Sequence, residues 1–192
     1  MPFGRPKKPR APLNAAGLYN YAVMALGRQM RTEAELRRLM KSRVEPGEVG
    51  EAHIEAVLQK LCEQGYLNDA AFAETYARLR REHEKLGQRR VRQNLRQKGV
   101  ASELIDETLE AGYANTNEET QARAFIEKRR LKKPESEKES VRLMRRLVTA
   151  GFSVGVIYKI LRQWDVPDEL LTELDNLEEP DAEADENPGH EV

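Results

Sequence analysis

The stretch Val91-Arg92-Gln93-Asn94-Leu95-Arg96-Gln97-Lys98-Gly99-Val100-Ala101-Ser102-Glu103-Leu104-Ile105-Asp106-Glu107-Thr108-Leu109 decides the fold. Val91 and Leu95 are one helical turn apart, Gly99 can take the left-handed conformation that ends a helix, and Ile105, Thr108 and Leu109 resume helical spacing beyond it. The same pattern returns 52 residues later as Leu143, Leu147, Gly151 and Phe152, followed by Ile157, Ile160 and Leu161. An earlier copy reads Leu36, Met40 and Val44 with Ile54, Val57 and Leu58. There Val44 replaces the glycine, and the connector Glu45-Pro46-Gly47-Glu48 is longer.

Working outward, each copy is preceded by another amphipathic segment, at 13–28, 69–85 and 118–132. Leu18, Ala22, Ala25 and Leu26 share one face of the first, and Ile54, Val57, Leu58 and Leu61 share a face of the helix closing that copy. Strand-like alternation is almost absent. Asn68, Ser102 and Ser153 stand where N-caps belong, and Gly65 ends the helix before Tyr66. The fold expected is all-α: three tandem three-helix repeats, each too small for much stability alone, stacked into an elongated, curved array. One compact bundle of merely similar helices is the alternative. The expected boundaries are a flexible basic N-terminus at 1–12, repeats at 13–68, 69–115 and 116–166, and an acidic, disordered tail at 167–192.

Composition fits this reading. Charged residues make up 34% of the 192 residues and aromatics 6%, the usage of surface-rich helical proteins. The net charge of −1 hides an asymmetry, because Arg162 is the last cation and twelve of the 33 acids lie from Asp165 onward. Residues 1–164 therefore hold 32 cations against 21 acids, a net of about +11. Such a body attracts polyanions through Coulomb attraction and counterion release; a solvated surface with a solubilising tail explains the same numbers. A tail folded back on the basic face as a phosphate mimic is a further expectation.

No catalytic constellation is present in the sequence. His53, His83 and His190 sit at no metal or triad spacing, and no Walker loop occurs. The single cysteine, Cys62, excludes an internal disulfide and a Cys/His zinc site, and reads as a small buried thiol. No apolar run is long enough for a membrane span or a signal-peptide core, so a cytoplasmic protein without cofactor or membrane contact is expected.

The basic clusters are the candidates for function. Nine cations fall between Arg78 and Lys98 against Glu82 and Glu84 alone. With Val91 and Leu95 facing the core, Arg89, Arg92 and Arg96 form a row on an adjacent face. Like charges so placed repel by about 0.2–0.5 kcal/mol per pair, a cost that an anionic partner offsets. Arg80, Arg90 and Lys98 belong to the same cluster, and Arg142, Arg145 and Arg146 to a second that begins at Lys128. The segment Gly65-Tyr66-Leu67-Asn68-Asp69, with Phe72 and Tyr76, joins the first two repeats. Its aromatic and aliphatic residues are expected to fill the junction core, with base stacking by Tyr66 or Tyr76 as the other use.

These residues resemble the RecX family of regulatory proteins. The likeness covers about residues 14–163 and is most specific over Gly65-Tyr66-Leu67-Asn68-Asp69, Phe72-Ala73, Tyr76, Arg80, Gly87, Arg90-Val91, Leu95 and Lys98-Gly99-Val100. Thr32-Glu33-Ala34-Glu35-Leu36 and Gly151-Phe152-Ser153 support it. Gln88 departs from the family's usual proline, Val44 from a common glycine, and the acidic tail has no counterpart in the pattern. The resemblance implies three tandem three-helix repeats and a negative modulator of the RecA recombinase in DNA repair and the SOS response. Such a protein lies along the groove of the RecA–DNA filament, bridges protomers and suppresses ATP hydrolysis, strand exchange and filament extension. It also implies a monomer that meets DNA weakly, non-specifically and through phosphates. A protein binding single-stranded nucleic acid without touching the recombinase is the alternative.

Overall fold

The computed structural model describes residues 11–166; the basic N-terminus up to Arg10 and the acidic tail from Pro167, with the phosphate-mimic expectation, lie outside them. Nine helices and no strand occur among the described residues: α1 (Ala15–Leu26), α2 (Glu33–Lys41), α3 (Glu48–Glu63), α4 (Asp69–Glu82), α5 (Gln88–Gln97), α6 (Ser102–Tyr113), α7 (Glu118–Lys128), α8 (Glu137–Thr149) and α9 (Val154–Arg162). They read as three successive trios. The chain forms two compact units, one of residues up to Ala77 with Asn94–Gly112, the other of Arg78–Gln93 with residues from Tyr113 onward.

In the first unit α1, α2 and α3 enclose Leu18, Leu36, Met40, Ile54 and Leu61, all fully buried, with Ala22, Val57, Leu58 and Leu67 around them. Each large aliphatic side chain removed from water contributes about 1.5–3 kcal/mol before the ordering cost. Thr32 starts α2 with a full capping box: its hydroxyl accepts from the Glu35 amide, and Glu35 accepts from the Thr32 amide. In the second unit α7 and α9 close over Phe125, Phe152, Ile157 and Leu161, the two rings meeting edge to face at 5.6 Å. Glu119 ties these helices together, accepting from Arg123 and Lys159, which hold its carboxyl below the usual range.

The helix-ending glycines do more than turn the chain. Gly99 and Gly151 are left-handed, with φ of +80° and +89°. A Cβ on Gly99 would stand 2.4 Å from the Ala34 Cβ in the first turn of α2, and one on Gly151 would stand 2.2 Å from the Arg90 nitrogen in the first turn of α5. The preceding carbonyls are taken in the same way. The Lys98 oxygen accepts from the Thr32 hydroxyl at 2.6 Å, and the Ala150 oxygen accepts from the Gly87 amide at 2.9 Å. In both units, then, the end of one trio's middle helix plugs onto the start of the previous trio's middle helix. Close approach and positive φ together demand glycine. Val44 holds the equivalent place after α2, where no trio precedes it among the described residues.

Three local expectations need correction. Ser102 is the first residue of α6 rather than its cap. Ser153 does cap α9 by position, but its hydroxyl and amide both donate to the Glu118 carboxylate, at 2.7 and 2.6 Å, instead of its hydroxyl serving α9 itself. Cys62 is exposed, not buried, because it lies on the outer face of α3 beside the buried Leu61.

Candidate polyanion-binding surface

The two basic clusters of the sequence have different fates. Around the end of α4 the cations are engaged within the chain. Arg78 bridges to Glu82 at 3.5 Å, Arg81 to Glu82 at 3.1 Å, and Arg80 pairs with Glu84. The Arg81 hydrogen bond, with Arg78 alongside, holds the Glu82 carboxyl below its usual range. Arg81 also lies 5.9 Å over the Tyr113 ring, whose hydroxyl donates to the Leu86 oxygen at 3.1 Å; burial pushes that phenol up to about 12. Along α5, Val91 and Leu95 are fully buried, so Arg89, Arg92 and Arg96 do form one row beside the core face, with Arg89 and Arg96 exposed. Arg90 is held by Gln93 at 2.7 Å and by the contact of its backbone with Gly151.

Lys98 is built into the scaffold. Its ammonium donates to Glu35 at 2.7 Å and lies 5.5 Å from the ring centres of both Phe72 and Tyr76, which themselves stack at 5.7 Å. Next to it the Glu33 amide donates to Asp69 at 2.9 Å, and burial near Glu33 and Glu35 pushes the Asp69 carboxyl up. The junction segment accounts for this arrangement. Gly65 is left-handed at φ +72°, Leu67 and Phe72 are buried, and Asn68 caps α4 by accepting from the Ala71 amide at 2.9 Å. Tyr66 departs from the expectation of a core residue: it is 58% exposed. After the left-handed glycine its amide returns to the Leu61 oxygen at 2.9 Å, and the side chain is left in solvent while Leu67 takes the core position.

The second cluster presents a different picture. The loop after α7 and one face of α8 enclose a cavity of about 470 Å³ lined by Arg130, Lys132, Lys133, Arg142 and Arg146, with Glu135 and Glu139 at one side and Leu131, Pro134 and Leu143 completing it. Arg142 and Arg146 are one turn apart on α8, exposed above the buried Leu143 and Leu147. Arg145 is exposed on the same helix but does not line the cavity. Arg130 is a non-glycine residue in the left-handed region, at φ +51°. Among the described residues no group of His, Cys, Asp or Glu is placed to hold a metal ion, and no helix is long and apolar enough to cross a membrane. The Cys62 thiol is pushed up by desolvation and by Glu33, Asp69 and Glu63, the reverse of what a nucleophile needs.

The helical trio is itself diagnostic. Residues 68–109, from Asn68 through α4, α5 and most of α6, match the family model described as RecX, second three-helix domain. Over 162 residues the chain is 35% identical to Regulatory protein RecX of Deinococcus radiodurans, spanning 83% of this chain and 74% of that one. The chain belongs to the RecX family. Over 169 residues it is 33% identical to Regulatory protein RecX of Myxococcus xanthus, covering 81% of this chain and 89% of the relative. A crystal structure of regulatory protein RecX superposes with a TM-score of 0.61 at 28% identity, over 78% of this chain and 73% of that one. RecX from Lactobacillus salivarius shares the fold with a TM-score of 0.59 at 23% identity, over 84% and 97%. Membership in RecX makes this a regulatory protein, not an enzyme, and the expected tandem three-helix repeats are the architecture found.

Residues 130–133 carried a visible excess of charge in sequence, but nothing there located them opposite Arg142 and Arg146. A left-handed arginine leaves no sequence signature comparable to the glycine that usually occupies such a position.

Proposed function

We propose that this RecX chain is a negative regulator of homologous recombination and DNA repair that occupies the groove of the RecA–DNA filament and inhibits its ATP hydrolysis, strand exchange and extension. The regulatory names of its relatives support the setting. The observation that carries the reading is the α5 row, in which the buried Val91 and Leu95 fix the helix so that Arg89, Arg92 and Arg96 stand in line. Repulsion within that row costs about 0.2–0.5 kcal/mol per pair, and filament phosphates or carboxylates offset it. In this reading the protein works as a cytoplasmic monomer without cofactor, its repeats 13–68, 69–115 and 116–166 serve as modules, and it meets DNA weakly, non-specifically and through phosphates. Groove occupancy then restrains the protomer movements that accompany nucleotide turnover.

Reversing Arg89, Arg92 and Arg96 to Glu tests this. Inhibition of DNA-dependent ATP hydrolysis and co-sedimentation with filaments should be lost, while circular dichroism shows unchanged helicity. Inhibition that survives the triple reversal rules the row out. Equal affinity for filament and bare single-stranded DNA, with equally steep salt dependence, favours direct nucleic-acid binding without recombinase contact.

A further inference from the structure

The cavity between the α7–α8 loop and α8 has three properties that belong together. First, its cations are not neutralised internally: Glu135 and Glu139 line the same cavity, yet among the described residues neither forms an ion pair with Arg130, Lys132, Arg142 or Arg146. Glu139 instead accepts from the Glu135 amide at 2.9 Å at the start of α8. Lys133 is the exception, tied to Asp165 at 2.9 Å, and is left out of the argument. Second, Arg130 sits where α7 ends, its amide donating to the Glu127 oxygen and the Leu131 amide to the Ile126 oxygen, both at 2.9 Å. That is the ordinary place for a glycine, and a side chain there keeps the backbone strained at φ +51°. Third, the first turns of α2 and α5 are closed over by Gly99 and Gly151, whereas no described residue plays that part on α8.

We infer that this cavity is a seat for the sugar–phosphate backbone of single-stranded nucleic acid, with Arg130, Arg142 and Arg146 as the phosphate-binding residues and Lys132 as a supporting cation. The inference deepens the proposed function by naming the ligand of one surface, and it rests on that reading for its biological setting. The three guanidiniums offer planar forks suited to phosphate oxygens. Their spread over a volume of about 470 Å³ suits successive charges along a chain better than one compact anion. Carboxylates already present in the cavity leave these cations unbridged, which favours phosphate over an acidic protein as occupant. No aromatic residue lines the cavity, so base identity goes unread and binding is independent of sequence.

Fluorescence anisotropy of a labelled oligothymidine, with the full chain and no recombinase, tests the seat separately from the filament reading. Arg142→Gln with Arg146→Gln should weaken binding at least tenfold and flatten the log–log salt dependence by about 1.4, two contacts at about 0.7 each for a single strand. Arg145→Gln, on the same helix but outside the cavity, should change affinity less than twofold. Arg130→Gly should move two readouts in opposite directions, raising the melting temperature while weakening binding severalfold. Poly-glutamate should compete far less well than unlabelled oligothymidine. Equal losses from Arg145→Gln and the double variant would reduce the seat to a diffuse field and overturn it. Effective competition by poly-glutamate, or undiminished binding by Arg130→Gly, would overturn it too. Loss of the seat with intact filament inhibition leaves the proposed function standing, and inhibition lost without change in DNA affinity leaves the seat standing.

Discussion

The region from Arg78 to Lys98 and the region from Arg130 to Arg146 are both rich in cations, yet they use that charge differently. In the first, Glu82, Glu84 and Glu35 each hold a cation, two rings face Lys98, and Arg90 is pinned beneath Gly151. In the second, Arg130, Arg142 and Arg146 surround a cavity without internal ion pairs among the described residues. Cation density along a sequence thus says little about available charge; what decides is whether an acid lies within a helical turn or across a junction.

The contrast breaks most forcefully at the pin. Gly151→Ala, which drives a methyl into the Arg90 backbone at a positive φ, should destabilise the fold by about 2–4 kcal/mol in denaturant unfolding. Gly65→Ala, at φ +72° with no atom within 4 Å, should cost only about 1–2 kcal/mol. Similar losses at the two sites would mean that the first turn of α5 is not locked. Next in size is Lys98→Gln. Removing an ammonium that is mostly buried against Glu35 should cost about 1.5–3 kcal/mol, since the carboxylate is left without its partner. Arg142→Gln with Arg146→Gln should shift stability by less than about 0.5 kcal/mol; a loss comparable to that of Lys98→Gln would erase the distinction between scaffold and spare charge.

The smallest effect concerns Tyr113, which the first region buries. Its phenol ionises at about 12 when folded, above the ordinary 10, so the native state holds the proton more tightly than the unfolded chain. The corresponding stabilisation is complete below pH 10 and is lost as pH rises from 10 through 12. Alkaline difference absorbance should show one of the six tyrosines ionising late, and Tyr113→Phe should abolish that phase. A single uniform phase in the parent protein would contradict the burial.

Helical spacing and the glycine stops made the trios legible, because burial selects apolar residues every three to four positions and a left-handed C-terminus selects glycine. Thr32, Asn68 and Ser153 were readable as cap positions for the same local reason. What escaped was non-local. The meeting of Gly99 with Ala34 and of Gly151 with Arg90 joins residues far apart in sequence, and nothing in a glycine distinguishes a turn from a tight contact. Tyr66 looked like core because its neighbours are core, yet the reversal after Gly65 gives that place to Leu67. Of the candidate site, the α5 row was visible from periodicity, whereas the cavity needed the loop after α7 folded beside α8.

One consequence of the repeated plug concerns what this protein avoids. A module that seats its tail on the head of the module before it has, in principle, everything required to string separate molecules into an endless fibre. The valine at position 44 forecloses that route: its branched side chain could not enter a recess in which even one added carbon would come within 2.4 Å of its neighbour. The link that joins modules inside one molecule is thereby denied to the next.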